Sequence, residues 1–225
     1  VCVLSTGDPM FFGIGVTLAK HFDADEMDVV PSLSAFSLAA SRLGWALADV
    51  EQLTLHGRPP SLMVPFIQPN VRMMILSDGA DTPAQIAQTL TERGYGDSKI
   101  YVLEHMGGAR ERGLEGTAAN WQHNDIAAFN TVGVECVAGP DAVIQPRLPG
   151  LPEDAFISDG NITKREVRAA TLAALAPLPA EHLWDVGAGC GAIAIEWMRT
   201  HPSCRATAIE SRADRIGLIA RNAIA

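Results

Sequence analysis

A glycine-rich loop constrains the fold of this chain more than any other segment. Residues 187–191 carry glycine at every second position, between an apolar run at residues 182–186 and a helical pattern at residues 192–199. Glycine has no Cβ, so its backbone turns tightly and allows a ligand to approach closely. A strand, a glycine turn and a helix in this order predict one unit of an α/β fold, with the free N–H groups of the helix start near the turn.

Two acidic residues near the loop indicate the cofactor class. Asp185 lies two residues before the first glycine, and Glu210 ends the next predicted strand. A carboxylate about 20 residues past such a loop is expected to hold ribose hydroxyls. A dinucleotide fingerprint reads G-x-G-x-x-G, whereas this loop reads G-x-G-x-G. It thus resembles motif I of class I S-adenosylmethionine-dependent methyltransferases, which implies that Asp185 lies near the methionine amino group. The competing interpretation is a turn without a ligand.

Short apolar runs alternate with amphipathic helical patterns along the chain, which is typical of α/β proteins. Helix starts are predicted by capping boxes at residues 82–85 and 163–166, and a further helix by the spacing of residues 34–43. The proline-rich stretch 146–153 predicts a linker between two units, residues 1–145 and 154–225, each with a parallel-rich sheet. The predicted strands are residues 1–4, 28–30, 73–76, 99–103, 131–137, 182–186 and 206–209.

Composition excludes several classes of protein. Acidic residues outnumber basic ones by 26 to 17, giving a net charge of -9, which argues against a nucleic-acid partner. No apolar run approaches the roughly 20 residues that a membrane span needs. The four cysteines are far apart, so we expect neither a disulfide framework nor a metal site, and we expect a cytoplasmic location.

The first half of the chain carries a second set of motifs. It starts with Gly7-Asp8-Pro9 and continues through residues 31–36, residues 39–44, Leu55-His56-Gly57-Arg58, Leu76-Ser77-Asp78-Gly79 and residues 104–112. Motifs of this kind and order resemble those of the tetrapyrrole methylases. The resemblance implies that S-adenosylmethionine lies against Thr6, Gly7, Asp8, Ser34 and Ala35.

The second half resembles the partner domain of decarboxylating precorrin methyltransferases. The resemblance rests on residues 159–168, which precede the Asp185 loop. It implies methylation of a precorrin at carbons 5 and 15, with loss of an acetate carboxylate, in cobalamin biosynthesis. The implied fold is a partial class III tetrapyrrole methylase domain followed by the start of a Rossmann-like class I domain, and we expect the chain to be cut at both ends. The implied cofactor contacts in this half are Thr163, Asp185, Gly187, Ala188, Gly189, Cys190, Gly191 and Glu210.

The implied substrate, a tetrapyrrole, carries many carboxylates. Methyl transfer to a nucleophilic carbon depends mainly on positioning, so no catalytic residue is assigned. Arginine forks suit carboxylates, and we expect Arg58, Lys164 and Arg168 to bind the substrate. Lys164 and Arg168 are four residues apart and should face one pocket. Arg110 and Arg112, which flank Glu111, are further cations that could meet such carboxylates. We also expect a homo-oligomer.

Two other functions compete with this reading. An RNA methyltransferase is one, because related folds include such enzymes, although the net charge of -9 weighs against it. A non-catalytic module that senses S-adenosylmethionine is the other. Loss of the ligand-binding acids would favour the sensor, yet Asp185 and Glu210 are present.

Overall fold

Residues 1–224 are described in this computed structural model, and they form two α/β units that divide between Ile144 and Gln145. Among these residues, every helix is too short or too polar to span a bilayer. The two units are described separately below.

The first unit is built on a five-stranded mixed sheet of order β1-β2-β5-β3-β4. β1 and β2 run parallel, whereas β5 runs antiparallel to both β2 and β3, and β4 is antiparallel to β3. The prediction of a parallel-rich sheet is therefore wrong for this unit, because the short connection from β3 to β4 cannot make the crossover that a parallel pair needs. The elements are α1 (Ile14–Leu18), α2 (Ala35–Leu43), β1 (Val50–Thr54), β2 (Arg72–Leu76), α3 (Thr82–Glu92), β3 (Lys99–Glu104), β4 (Arg112–Thr117) and β5 (Asn130–Glu135).

The central strands of this sheet are buried on both faces. Side chains alternate between the faces of a strand, so Met73 and Ile75 of β2 join one core cluster while Met74 joins another. The first cluster includes Ile86 and Leu90 of α3, and the second includes Phe36 of α2. The two helices therefore cover opposite faces of the sheet, and the loops extend from the ends of its strands.

Two predicted strands are absent from the first unit. Residues 1–4 and 28–30 belong to no sheet within residues 1–224, and Val1, Leu4 and Val30 are exposed. An apolar run forms a strand only where a neighbouring strand takes up its backbone hydrogen bonds, and neither segment has such a neighbour in the described chain. The predictions of strands there are wrong.

The second unit contains the predicted strand, loop, helix and strand. β6 and β7 pair in parallel, with His182 opposite Arg205 and Val186 opposite Ile209. The helix between them begins directly after the glycine loop. The elements are α4 (Arg165–Leu175), β6 (His182–Val186), α5 (Ala192–Thr200), β7 (Arg205–Ile209) and α6 (Ala213–Asn222).

Neither predicted capping box forms. Lys164, not Thr163, precedes α4 and makes no side-chain cap; the carboxylate of Glu153 instead accepts the Arg165 N–H at 3.2 Å. Thr82 is the first residue of α3 rather than its cap, and its hydroxyl accepts the N–H groups of residues 78 and 79. At α4 a neighbouring segment thus takes over the role that the sequence pattern assigns to the cap residue, whereas Thr82 holds the turn that precedes α3.

A buried ion pair joins α4 to α5. Arg168 is 0 % exposed, and its Nε lies 2.8 Å from Oε1 of Glu196. Arg168 also donates to the carbonyls of Thr163 and Leu151, and Glu196 accepts the N–H groups of Gly150 and Leu151. Part of the predicted linker is therefore packed in the core of the second unit, where Leu151 is buried.

This burial corrects the role expected for Arg168. Its side chain points into the protein and has a carboxylate partner, so it does not face a substrate pocket with Lys164, which is exposed. Helical spacing predicts that Lys164 and Arg168 share a face, but it does not reveal Glu196 on another helix, which holds Arg168 inside the protein.

We expect Arg168→Ala to destabilise the protein by about 3–5 kcal/mol, because it leaves the Glu196 charge buried and unpaired. The double change Arg168→Met with Glu196→Leu should cost less than Arg168→Ala alone, since it removes both charges. Chemical denaturation followed by circular dichroism measures these changes. Arg165→Ala, at an exposed position of the same helix, is the control and should stay within about 0.5 kcal/mol. A single change no more costly than this control would contradict the prediction.

Candidate cofactor site

The glycine loop after β6 adopts backbone conformations that favour glycine. Gly187, Gly189 and Gly191 have φ values of 83°, 60° and 83°, in the left-handed region that L side chains rarely adopt. A Cβ at Gly187 or Gly189 would meet nothing within 4 Å, whereas one at Gly191 would lie 3.2 Å from Ile219. The space beside the first two glycines is therefore open to a ligand that lies against the backbone.

Most N–H groups of this loop already have acceptors. Those of Gly187 and Ala188 donate to the carbonyl of Ile209 at 2.8 and 3.1 Å. The N–H of Gly189 donates to the Glu210 carboxylate at 2.9 Å. A pyrophosphate cradle needs such N–H groups free, so the loop geometry suits a cofactor without phosphate.

Asp185 carries an unpaired carboxylate oxygen at the end of β6. Its Oδ2 is buried and has no hydrogen-bond partner within residues 1–224. Burial raises the pKa of this carboxyl, and the backbone N–H of Ala194 partly offsets the rise. Buried polar atoms are normally paired, so an orphaned carboxylate oxygen fits a positively charged donor such as the ammonium of an amino-acid ligand.

Glu210 is fixed at the end of β7, beside the same loop. Its carboxylate accepts the N–H of Arg212 at 3.0 Å and that of Gly189 at 2.9 Å. These two bonds lower the pKa of the Glu210 carboxyl, so the group is ionised at neutral pH. The structure thus brings together Asp185, the glycines and Glu210, which lie near one another as the sequence pattern requires of a cofactor site.

Helix α6 braces the loop through residues that the sequence pattern did not single out. Asn222 donates to the carbonyl of Cys190 at 2.9 Å and pairs with the N–H and carbonyl of Ile157. Arg215 forms an ion pair of 2.8 Å with Asp159. Cys190 itself is buried in the core, and Thr163 is exposed with its carbonyl bound to Arg168. These contacts tie the segment before α4 to the loop.

In the first unit, the predicted cofactor residues come from two adjacent segments. Gly7 has a φ of 70°, and a Cβ there would lie 4.0 Å from the Leu33 carbonyl. Asp8 accepts the N–H of Met10 at 2.8 Å, which holds the turn after Thr6. Ser34 caps α2 by accepting the Ser37 N–H, so Ala35 is the first residue of that helix.

Aromatic contacts hold this turn against α2. The ring of Phe36 in α2 lies 5.4 Å from that of Phe11 and 6.1 Å from that of Phe12. The turn at Gly7 and the start of α2 are thereby kept side by side.

Arg58 lies on a cleft at the carboxyl ends of β1 and β2. The cleft has a volume of about 290 Å³ and is also lined by Asp78, Asp81 and Thr82. Asp78 accepts the Gly57 N–H at 2.7 Å and lies 3.4 Å from His56. Arg58 is exposed, but the two carboxylates around it give the cleft a mixed charge.

Two family models match the chain. The model for tetrapyrrole (corrin/porphyrin) methylases matches residues 1–121, and that for a precorrin methyltransferase domain matches residues 154–225. The chain is 44% identical over 223 residues to a Sinorhizobium protein named precorrin-6Y C(5,15)-methyltransferase [decarboxylating], covering 99% of this chain and 54% of the relative. A Mycobacterium tuberculosis protein of the same name is 42% identical over 226 residues, covering 99% of this chain and 56% of the relative.

A solved structure resembles part of the chain. The C-terminal domain of precorrin-6Y C5,15-methyltransferase from Rhodobacter capsulatus is 51% identical and has a TM-score of 0.33, with coverage of 35% of this chain and 41% of that one. The chain spans about half the length of the curated relatives it matches.

We expect Asp185→Asn to stabilise the cofactor-free protein at neutral pH. Burial raises the pKa of the Asp185 carboxyl in the folded state above its value in the unfolded chain. Ionisation of this carboxyl therefore lowers the free energy of unfolding at any pH above the unfolded pKa, and the loss disappears once the pH falls below the pKa of both states. The thermal unfolding midpoint should rise at pH 7, by about 2–4 °C per kcal/mol gained, and the gain should vanish toward pH 3. An Asp185→Asn variant no more stable than the wild type at pH 7 would contradict the conclusion that burial of the ionised Asp185 carboxylate lowers stability.

Proposed function

We infer the function from one premise: the chain belongs to the tetrapyrrole methylase family. We propose that the protein methylates a precorrin at carbons 5 and 15 with S-adenosylmethionine, and removes a carboxylate from an acetate side chain, in cobalamin biosynthesis. The names of the Sinorhizobium and Mycobacterium relatives support this reaction. The similarity to these relatives covers 99% of this chain, including the proline-rich residues 146–153 at the start of the second unit.

The observation that carries the proposal is the pair of carboxylates around the glycine loop. Asp185 has a buried oxygen without a partner, and Glu210 is held ionised beside Gly189. S-adenosylmethionine has an ammonium group and two ribose hydroxyls but no phosphate, and it supplies an electrophilic methyl group on sulfur. We assign the ammonium to Asp185 and the ribose to Glu210, and we propose that the backbone of Gly187 to Gly191 and Thr163 line the site, while the side chain of Cys190 packs in the core.

The first unit supplies the second proposed cofactor site. Thr6, Gly7 and Asp8 form the turn that lies against Leu33, next to Ser34 and Ala35. One cofactor site in each unit provides one methyl donor for each of the two carbons, so we propose two sites per chain.

Substrate binding requires cations, because a tetrapyrrole of this class carries several carboxylates. Arg58 and Lys164 are exposed and stay as proposed contacts, whereas Arg168 acts inside the second unit. We propose a cytoplasmic location, which the buried free thiols of Cys136, Cys190 and Cys204 support. A homo-oligomer remains a prediction.

In the full-length protein, Glu210→Ala should weaken S-adenosylmethionine binding at the second-unit site roughly tenfold to hundredfold, as expected for the loss of hydrogen bonds to a charged group. Isothermal titration calorimetry measures the affinity. Asp214→Ala is the matched control, since Asp214 is an exposed acid four residues away that is paired with Arg212. If both variants bind like the wild type, Glu210 does not hold the ribose.

Calorimetry should also give two S-adenosylmethionine molecules per chain. Gly189→Val places a branched side chain at a φ of 60°, which such residues rarely adopt, and should remove one site. Asp8→Ala should weaken the other site. In the full-length protein, each variant should retain one methyl transfer to the precorrin substrate, as measured by mass spectrometry. A wild-type protein that binds no S-adenosylmethionine would overturn the proposed function.

A further inference from the structure

We propose that a cleft at the carboxyl end of β3 binds a carboxylate of the substrate, and that Arg110 is its principal contact. The cleft has a volume of about 330 Å³ and is lined by residues 105–110 and Phe129. This inference rests on the proposed function for the identity of the substrate as a tetrapyrrole polycarboxylate. The evidence for an anion site there is independent of it.

The two acidic residues that flank the loop, Glu104 and Glu111, form ion pairs with arginines other than Arg110. Glu104 is buried and accepts two hydrogen bonds from Arg112, at 2.7 and 3.0 Å. Glu111 accepts two from Arg42 of α2, at 2.5 and 3.1 Å. The Arg42 guanidinium and the Gly107 N–H lower the pKa of Glu111 to about 2, so this carboxylate stays ionised and paired.

Arg110 takes part in neither of these ion pairs. It is exposed and lines the cleft, and within residues 1–224 it has no ion-pair or hydrogen-bond partner. The chain as a whole has a net charge of -9, so an uncompensated guanidinium in a concave site selects for an anion. A planar fork of N–H donors matches a carboxylate in particular.

The backbone of the loop is held in one conformation around this cation. His105 has a φ of 47° and Gly107 a φ of 78°. The Glu111 carboxylate accepts the Gly107 N–H at 2.7 Å, and the His105 N–H donates to the Phe129 carbonyl at 3.2 Å. Arg42 thus fixes the loop through Glu111, which limits the entropy lost when Arg110 binds a ligand.

The cleft also has an aromatic wall. The rings of His105 and Phe129 lie 5.8 Å apart, at an angle of 35°. An aromatic wall beside a guanidinium suits the edge of a conjugated macrocycle that bears a carboxylate side chain. The Arg58 cleft is less selective for an anion, because Asp78 and Asp81 line it as well.

The test measures binding of uroporphyrin, a porphyrin with eight carboxylates, to the purified full-length protein by fluorescence. We expect Arg110→Ala to weaken binding about tenfold, as for loss of a charge-assisted hydrogen bond. Arg110→Lys should recover part of the affinity and Arg110→Glu should lose more. Lys20→Ala, which removes an exposed cation after α1, is the matched control and should bind like the wild type.

The outcomes separate this inference from the proposed function. Unchanged uroporphyrin affinity in Arg110→Ala, an equal loss in Lys20→Ala, or no binding by the wild type would each overturn the Arg110 site. S-adenosylmethionine affinity, measured on the same samples, should be unchanged by every Arg110 variant. Absence of S-adenosylmethionine binding in the wild type would instead overturn the proposed function and leave the carboxylate site to be judged by uroporphyrin alone.

Discussion

The core of the second unit contains an ion pair between Arg168 and Glu196, and neither charged group is accessible to water. Removing two charges from water is costly, and their attraction offsets that cost only if their remaining donors and acceptors are also satisfied. Here the arginine donates to the carbonyls of Thr163 and Leu151 while the glutamate accepts the N–H groups of Gly150 and Leu151. One buried pair thus fixes two irregular segments on α5, the helix that the glycine loop begins.

The sequence predicts well those features that depend on near neighbours in the chain. Glycine spacing and apolar runs locate β6 and the start of α5, and Ser34 and Gly44 delimit α2 as expected. It misses β1 and β4 and the place of β5 between β2 and β3. β1 and the place of β5 depend on pairing between distant segments, which local patterns do not encode. β4 pairs with its neighbour β3, but it is a largely exposed strand without the apolar run that would reveal it. Residues 1–4 show the converse, because an apolar run without a pairing partner is not a strand.

The sequence does not show which basic residues are free to contact the substrate, because their ion pairs join residues that are far apart in the chain. Arg168 and Glu196 are 28 residues apart, and Arg42 and Glu111 are 69 residues apart, so neither pair is visible as a motif. Once these contacts and the Glu104–Arg112 pair are known, the candidate cations divide into two groups. Arg112 and Arg168 are paired with carboxylates of the protein itself, whereas Arg58, Arg110 and Lys164 are exposed and form no ion pair within residues 1–224.

The two carboxylates at the glycine loop differ in a way that stability alone does not explain. Glu210 is satisfied by backbone N–H groups, which lower its pKa, whereas Asp185 keeps one buried oxygen unpaired and its pKa is raised. A fold selected only for stability would place an amide or an apolar side chain at position 185. The cost is offset if a cationic group pairs with that oxygen when a ligand is bound, because a ligand that binds only the folded state adds its binding free energy to stability. The unpaired oxygen of Asp185, just before the glycine loop, is therefore the strongest structural indication that a positively charged ligand group binds there.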